Sequence, residues 1–246
     1  MASKPHTDDI YRPKRIPKNP IKFKLQLNEE QKEAKAVILE NTITLLAGGA
    51  GSGKTLLSCN VALDGLFNKQ YEKIIITRPT VSKEEIGFLP GDLREKMDPW
   101  VQPIYQNLYQ LYDKEKVEKL IEDGKIEIVP VSFMRGRTFL DSMIIVDEAQ
   151  NVTHEQMEMI TSRLGLRSKM MICGDSHQTD LKKKSDSGFK FLYSAARKIK
   201  NLEAITLTAN HRNPIVEDLL DYYNEAVDKG ASITVSGSYI YNNKNQ

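Results

Sequence analysis

The chain has 246 residues, 28% of them charged, with 35 Lys and Arg against 33 Asp and Glu for a formal net charge of +2. That length can bury a full core and suits one α/β domain with extensions, while so balanced a charge excludes a disordered polyelectrolyte and a protein that coats nucleic acid by bulk charge. Cys59 and Cys173 stand far apart in apolar stretches without CxxC spacing, and no run reaches the ~20 apolar residues of a membrane span, so a disulfide scaffold is excluded and a cytoplasmic protein with no membrane partner is expected.

Residues 1–24 carry Lys4, Arg12, Lys14, Arg15, Lys18, Lys22 and Lys24 among Pro5, Pro13, Pro17 and Pro20. Neither a helix nor a central strand runs through such a stretch. It reads as a basic arm, either a nucleic-acid contact or a solvated extension. Leu27-Asn28-Glu29-Glu30-Gln31 is a helix start, with Asn28 as N-cap and Gln31 three residues on as its reciprocal partner. The same L-N-x-x-Q spelling precedes the phosphate loop of many helicases, where the glutamine reads adenine, so Gln31 is also a candidate base contact.

An apolar strand, Ile43 to Ala47, then leads into Gly48-Gly49-Ala50-Gly51-Ser52-Gly53-Lys54-Thr55. This G-x-x-x-x-G-K-[ST] string is a phosphate-binding loop: glycines let the backbone N–H groups face inward, and the following helix adds the positive end of its dipole. Lys54 is placed to reach the β- and γ-phosphates of a nucleotide, and the Thr55 hydroxyl to take one position on Mg²⁺. The helix continues over Leu56 to Phe67.

Lys73 to Thr77 reads as a buried parallel strand ending on Arg78-Pro79. Open α/β sheets bind ligands at strand C-terminal ends, so Arg78 is a candidate phosphate or nucleic-acid contact, with a strand-end ion pair as the alternative. Gly87-Phe88-Leu89-Pro90-Gly91-Asp92 is an apolar tip suited to a contact. Asp98-Pro99 is read as opening a helix with Val101, Ile104, Leu108 and Leu111 on one face and Tyr105, Tyr109 and Tyr112 beside it, as core or interface. Ile126 to Val131 is the next strand. Arg135 and Arg137 flank Gly136 after it, as candidates for a phosphate backbone or for surface ion pairs.

Met143 to Val146 is an uninterrupted apolar strand that delivers Asp147-Glu148 at its C-terminal end, the form of a Walker B site. Asp147 is assigned to Mg²⁺ and Glu148 to the attacking water as catalytic base. A helix over Thr153 to Leu164 leads to the strand Ser168 to Cys173 and to Gly174-Asp175-Ser176-His177-Gln178, where Gln178 is the candidate γ-phosphate sensor. Lys182, Lys183 and Lys184 form a basic run. Residues 187–199 read as a helix, Ala204 to Thr208 as a strand and Pro214 to Val227 as a last helix. Arg212, between the last two, is a candidate finger for a γ-phosphate in its own subunit or a neighbour's. His211 is read as structural, since the four histidines are too scattered for a metal cluster. The chain divides on this reading into an arm (1–24), one P-loop ATPase domain (25–235) and a polar tail (236–246).

Taken together, Thr77-Arg78-Pro79, Gly87 to Leu93, Asp98-Pro99, Met134 to Thr138, Asp147-Glu148-Ala149-Gln150-Asn151, Gln156 to Met159, Thr161 to Gly165 and Gly174 to Leu181 resemble the PhoH family of ATPases, over about Leu27 to Tyr223. The resemblance implies an α/β RecA-like P-loop NTPase core with a mostly parallel sheet and helices on both faces, similar to the first motor domain of superfamily-one helicases. It implies ATP hydrolysis with Mg²⁺ and, less directly, RNA-directed unwinding or ribonuclease activity. The stretch Thr80-Val81-Ser82-Lys83-Glu84-Glu85 departs from the family's usual small residues and acidic pair. No segment is read as the PIN nuclease domain that some relatives carry, and the acids in view are committed to ATP, against a ribonuclease.

Two functions stay open: a single-stranded nucleic-acid motor, favoured through Arg78, Arg135, Arg137 and the arm and directed to RNA by the family resemblance, or a nucleotide-switched interaction protein. Related helicases bind ATP between two RecA-like domains, and this chain has motifs for one. A homo-oligomeric ring, with six subunits suggested by ring-forming RecA-like ATPases, is therefore expected.

Overall fold

The computed structural model describes residues 23–79, 93–175, 181, 183, 186–209, 215, 216, 218, 219 and 222. The chain divides into a unit of residues 1–210 and another of 211–246, and the sheet belongs to the first. Residues 1–22 of the arm, the Gly87–Asp92 tip, Gln178, His211, Arg212, most of the helix read over Pro214–Val227 and the tail 236–246 lie outside the described residues.

Among the described residues, helices and strands largely alternate: α1 (Glu29–Glu40), β1 (Ile43–Ala47), α2 (Lys54–Phe67), β2 (Lys73–Arg78), α3 (Leu93–Leu111), α4 (Lys114–Glu122), β3 (Ile126–Pro130), β4 (Ser142–Val146), α5 (His154–Thr161), β5 (Lys169–Gly174), α6 (Gly188–Ala195) and β6 (Leu202–Thr206). The strands form one sheet in the order β3-β2-β4-β5-β1-β6. Every neighbouring pair is parallel, so the connections must cross over the faces, and helices cover both.

Near-continuous apolar strands follow from that double cover, and successive residues feed opposite cores. Leu46, Ile74, Ile76, Ile145 and Cys173 pack with α1, α2, α3 and α4. Leu45, Ile75, Ile144, Val146 and Ile172 pack with α5, α6 and the 3₁₀ turns beside β3 and β4. Both thiols are fully buried, which pushes Cys59 well up and Cys173 up to about 12, so they are inert core groups.

Several boundaries differ from the sequence reading, each for a tertiary reason. α3 begins at Leu93, so Asp98-Pro99 lies inside it. A proline within a helix removes a hydrogen bond, and here full burial of Ile104, Leu108 and Leu111 outweighs that loss. Tyr105, Tyr109 and Tyr112 pack partly buried against the same core. α4 has no counterpart in the sequence reading, although Asp113 caps it by accepting from the Lys116 N–H and Val117 is buried. α5 ends at Thr161 because Leu164 is drawn into a bridge with Phe139. α6 ends at Ala195, where the chain turns through Arg197 and Asn201, both at φ 65°, into β6, which pairs with β1 from Leu202.

Candidate active site

A parallel sheet brings all its strand C-terminal ends to one edge, and the motif residues of β1, β2, β4 and β5 meet there. β5 lies between β1 and β4. Its end, Gly174-Asp175, therefore stands between the phosphate loop and the Asp147-Glu148 pair.

The loop is built as its glycines require. Gly48, Gly51 and Gly53 have φ of 150°, 88° and 82°, conformations that L side chains rarely adopt. A Cβ on Gly48 would meet the Leu207 carbonyl oxygen at 2.5 Å and Ser52 Oγ at 2.7 Å, whereas one on Gly49 would meet nothing within 4 Å. Ser52 is buried and Ala50 half-buried. α2 starts at Lys54, with Gly53 as N-cap and no side-chain cap, which leaves the first-turn N–H groups for an anion. The Lys54 ammonium donates to the carbonyls of Gly48 (2.7 Å) and Gly49 (2.8 Å) and to Ser52 Oγ (3.3 Å). It is thus folded against the loop it would leave to meet a β- or γ-phosphate.

One residue further into α2, Thr55 Oγ1 donates to Asp147 Oδ1 at 2.6 Å. Asp147 is 5% exposed, and its N–H extends the β2–β4 ladder to the Thr77 carbonyl at 2.8 Å. Burial pushes its carboxyl up, against the Thr55 hydrogen bond, which favours the charged form; nearby Glu148 also raises it and Arg78 lowers it. A buried acid and a hydroxyl side by side suit Mg²⁺, which takes one or two protein oxygens and completes its shell with water and phosphates. Among the described residues no group of three or more His, Cys, Asp or Glu could hold a metal on its own.

Glu148 follows in the left-handed region, φ 51° and ψ 39°. Strain of this kind collects at functional positions. Its Oε1 lies 3.8 Å from Arg78 Nη2, and its Oε2 accepts from Gln150 Nε2 at 2.5 Å. Arg78 therefore stands at the nucleotide edge beside the candidate base. The sequence reading holds Gln150 only as part of a motif string. The signal that could single it out is a glutamine on the turn directly after the acids.

The other candidates are placed differently. Gln31 Oε1 accepts from the Asn28 N–H at 3.2 Å while Asn28 Oδ1 accepts from the Gln31 N–H at 2.8 Å, the reciprocal cap. Gln31 is buried on α1, whose neighbour Glu30 accepts from the N–H groups of Thr208 (2.6 Å) and Ala209 (3.1 Å) beyond β6. Arg137 makes a two-pronged pair with Glu127 of β3, at 2.7 and 2.8 Å, and lies over the Phe139 ring at 4.7 Å. The ion-pair alternative holds for its guanidinium, and the pair holds the Glu127 carboxyl below its ordinary value. Arg135 is exposed.

Residues 25–224 match the family described as PhoH-like protein. A PhoH-like protein of Synechocystis sp. is 38% identical over 199 residues, 80% of this chain and 61% of the relative. One of Bacillus subtilis is 41% identical over 198 residues, 79% of this chain and 62% of the relative. The chain spans about three fifths of the length of these curated relatives. Among solved structures, the large terminase of a thermophilic bacteriophage superposes with a TM-score of 0.53 at 12% identity, over 80% of this chain and 50% of that one. The likeness is one of fold. The fold is α/β and RecA-like, and no described helix is long and apolar enough to cross a membrane.

Proposed function

The chain belongs to the PhoH-like family, and on that premise we propose that it hydrolyses ATP with Mg²⁺ and couples the cycle to single-stranded nucleic acid, RNA before DNA, as a cytoplasmic ring of identical subunits. The observation that carries the ATPase part is the Thr55–Asp147 hydrogen bond at 2.6 Å, which joins the phosphate loop to the Walker B strand.

In this reading the loop N–H groups and Lys54 hold the β- and γ-phosphates, and Thr55 and Asp147 hold the cation. Mg²⁺ held by these two residues would neutralise charge that develops on the phosphates. Glu148 orients a water for in-line attack on the γ-phosphorus and accepts its proton as the β–γ bond breaks, leaving ADP and phosphate. Gln178 is assigned to sense the γ-phosphate, and Arg212 to supply positive charge to it, in its own subunit or a neighbour's. Gln31 keeps its helix cap and is the candidate adenine contact.

Support for a nucleic-acid partner is slimmer. Arg135 is exposed beside the sheet edge strand, and the resemblance to helicase motor domains points the same way. The second reading, a nucleotide-switched interaction protein with slow turnover, draws on the Arg78 guanidinium that faces the Glu148 carboxylate at 3.8 Å. Steady-state ATPase rates with Mg²⁺, measured alone and with single-stranded RNA or DNA, separate the two. A motor shows stimulation by several-fold or more; rates unmoved by either nucleic acid favour the switch, and no Mg²⁺-dependent turnover under any condition overturns the ATPase reading.

A further inference from the structure

Gln150 sits in the 3₁₀ turn Ala149–Asn151 directly after the Walker B acids and is 6% exposed. Its Nε2 donates to Glu148 Oε2 at 2.5 Å, and its Oε1 accepts from the Asp175 N–H, at the end of β5, at 3.1 Å. The two partners fix the amide's orientation, because a backbone N–H can only donate and a carboxylate only accept. The turn itself is anchored from the far side, where Ser187 Oγ donates to the Gln150 carbonyl oxygen at 3.1 Å. One buried side chain thus ties the candidate catalytic acid to the strand end that enters the Ser176-His177-Gln178 segment.

We infer that Gln150 is a positioning residue for hydrolysis: it holds the Glu148 carboxylate in register with the end of β5, so that a shift of that strand end moves the base. The inference rests on the reading of Glu148 as the base. Three features support the link. Glu148 lies in the left-handed region at φ 51°, a conformation uncommon for a non-glycine residue. The contact to Arg78 on its other oxygen is looser, 3.8 Å against 2.5 Å, and both of its partners are partly exposed. The Asp175 N–H lies just past the β5 ladder, which ends at Gly174, so Gln150 is placed to report its position. A carboxylate displaced by about an ångström loses much of its catalytic effect without altering how substrate binds.

The test uses the full chain and four variants: Gln150→Met, Gln150→Glu, Gln150→Asn and Glu148→Gln. Gln150→Met keeps length and volume but removes donor and acceptor. It is expected to lower kcat by roughly 10–100-fold with ATP KM and nucleotide affinity unchanged. Gln150→Glu keeps an oxygen for the Asp175 N–H but sets a second carboxylate against Glu148, and kcat should fall at least as far. Gln150→Asn, one methylene shorter, should recover part of the Met loss because it restores an amide. Wild-type kcat in both Gln150→Met and Gln150→Glu, while Glu148→Gln has lost turnover, overturns the positioning role and leaves the base intact. Parallel loss of kcat, nucleotide affinity and thermal stability overturns it too, as the mark of a purely structural residue. Full turnover in Glu148→Gln instead removes the base, and the inference falls with it.

Discussion

The Thr55 hydroxyl donates to Asp147 Oδ1 at 2.6 Å across 92 residues of sequence. Two consequences can be measured. Thr55→Val removes the donor and should raise the Mg²⁺ needed for half-maximal turnover by about 10–100-fold, read by titrating Mg²⁺ at saturating ATP. Asp147→Asn should abolish Mg²⁺-supported turnover yet raise the melting temperature of the nucleotide-free protein at pH 7. The sign follows from burial. The carboxyl is raised in the folded state, so the stability it contributes is present at low pH and is lost as pH climbs through its folded value. The neutral amide removes that penalty. An Asp147→Asn melting temperature below wild type would show that the buried charge is compensated.

Lys54 and Glu148 should fail in different ways. Lys54→Ala removes the ammonium held by the Gly48 and Gly49 carbonyls and should lose ATP binding. Glu148→Gln keeps the shape and should bind ATP while turnover falls by ~10²–10⁴, the scale of a positioned acid–base group. Fluorescent-nucleotide binding and phosphate release separate the two defects. Equal turnover in Glu148→Gln and wild type would take Glu148 out of the mechanism.

The parts legible in the sequence are those whose physics is local. The loop from Gly48 to Thr55 is a contiguous string, the β4 run ending in Asp147-Glu148 is another, and the Asn28–Gln31 cap spans four residues. The interior strands can be read because a sheet covered on both faces needs unbroken apolar runs. Contacts between distant residues leave no such trace. Nothing local to Arg137 says that Glu127 waits across β3, nor does Gln150 announce Asp175. The start of α3 escapes the sequence because Pro99 looks like a helix start, whereas the burial that overrides it is tertiary.

Arg137 and Arg135 should now separate. Arg137→Ala leaves Glu127 without its two-pronged partner and should cost about 0.5–1 kcal/mol, the scale of a partly exposed pair. The Glu127 carboxyl is lowered in the folded state, so this stability is present above its ordinary value of 4.5 and is lost as pH falls through the folded value. The wild-type advantage in melting temperature should shrink below about pH 4.5. Arg135→Ala should leave stability alone and flatten the slope of log K against log salt for single-strand binding by about 0.7. An unchanged slope would return Arg135 to the solvated surface.

Gly188 marks a close approach of α6 to α5. A Cβ there would lie 2.5 Å from Met157 Cβ and 2.7 Å from the Thr153 carbonyl oxygen. Neither atom is a flexible side-chain end. Gly188→Ala should therefore force the helices apart and destabilise the protein by about 1–3 kcal/mol, or roughly 2–4 °C per kcal/mol for a chain of this size. Differential scanning calorimetry measures it, and an unchanged transition would mean that α6 slides without cost.

The ring makes the most demanding prediction. The nucleotide edge gathers Lys54, Thr55, Asp147, Glu148 and Arg78 from one subunit, and a site of this kind in two-domain helicases is closed by a second RecA-like wall. If a neighbouring copy supplies that wall, one patch contacts a different patch, and such head-to-tail contacts close into rings when the rotation allows. Arg212 is the candidate carried across. Mixing Glu148→Gln subunits with Arg212→Ala subunits tests this directly, since each parent should be inactive alone. A finger acting in trans gives some interfaces with both intact groups, so turnover recovers in the mixture. An arginine acting within its own subunit gives none. Light scattering in the presence of ATP supplies the independent check: a monomeric mass with full hydrolysis retained would sink the ring whatever the mixture shows.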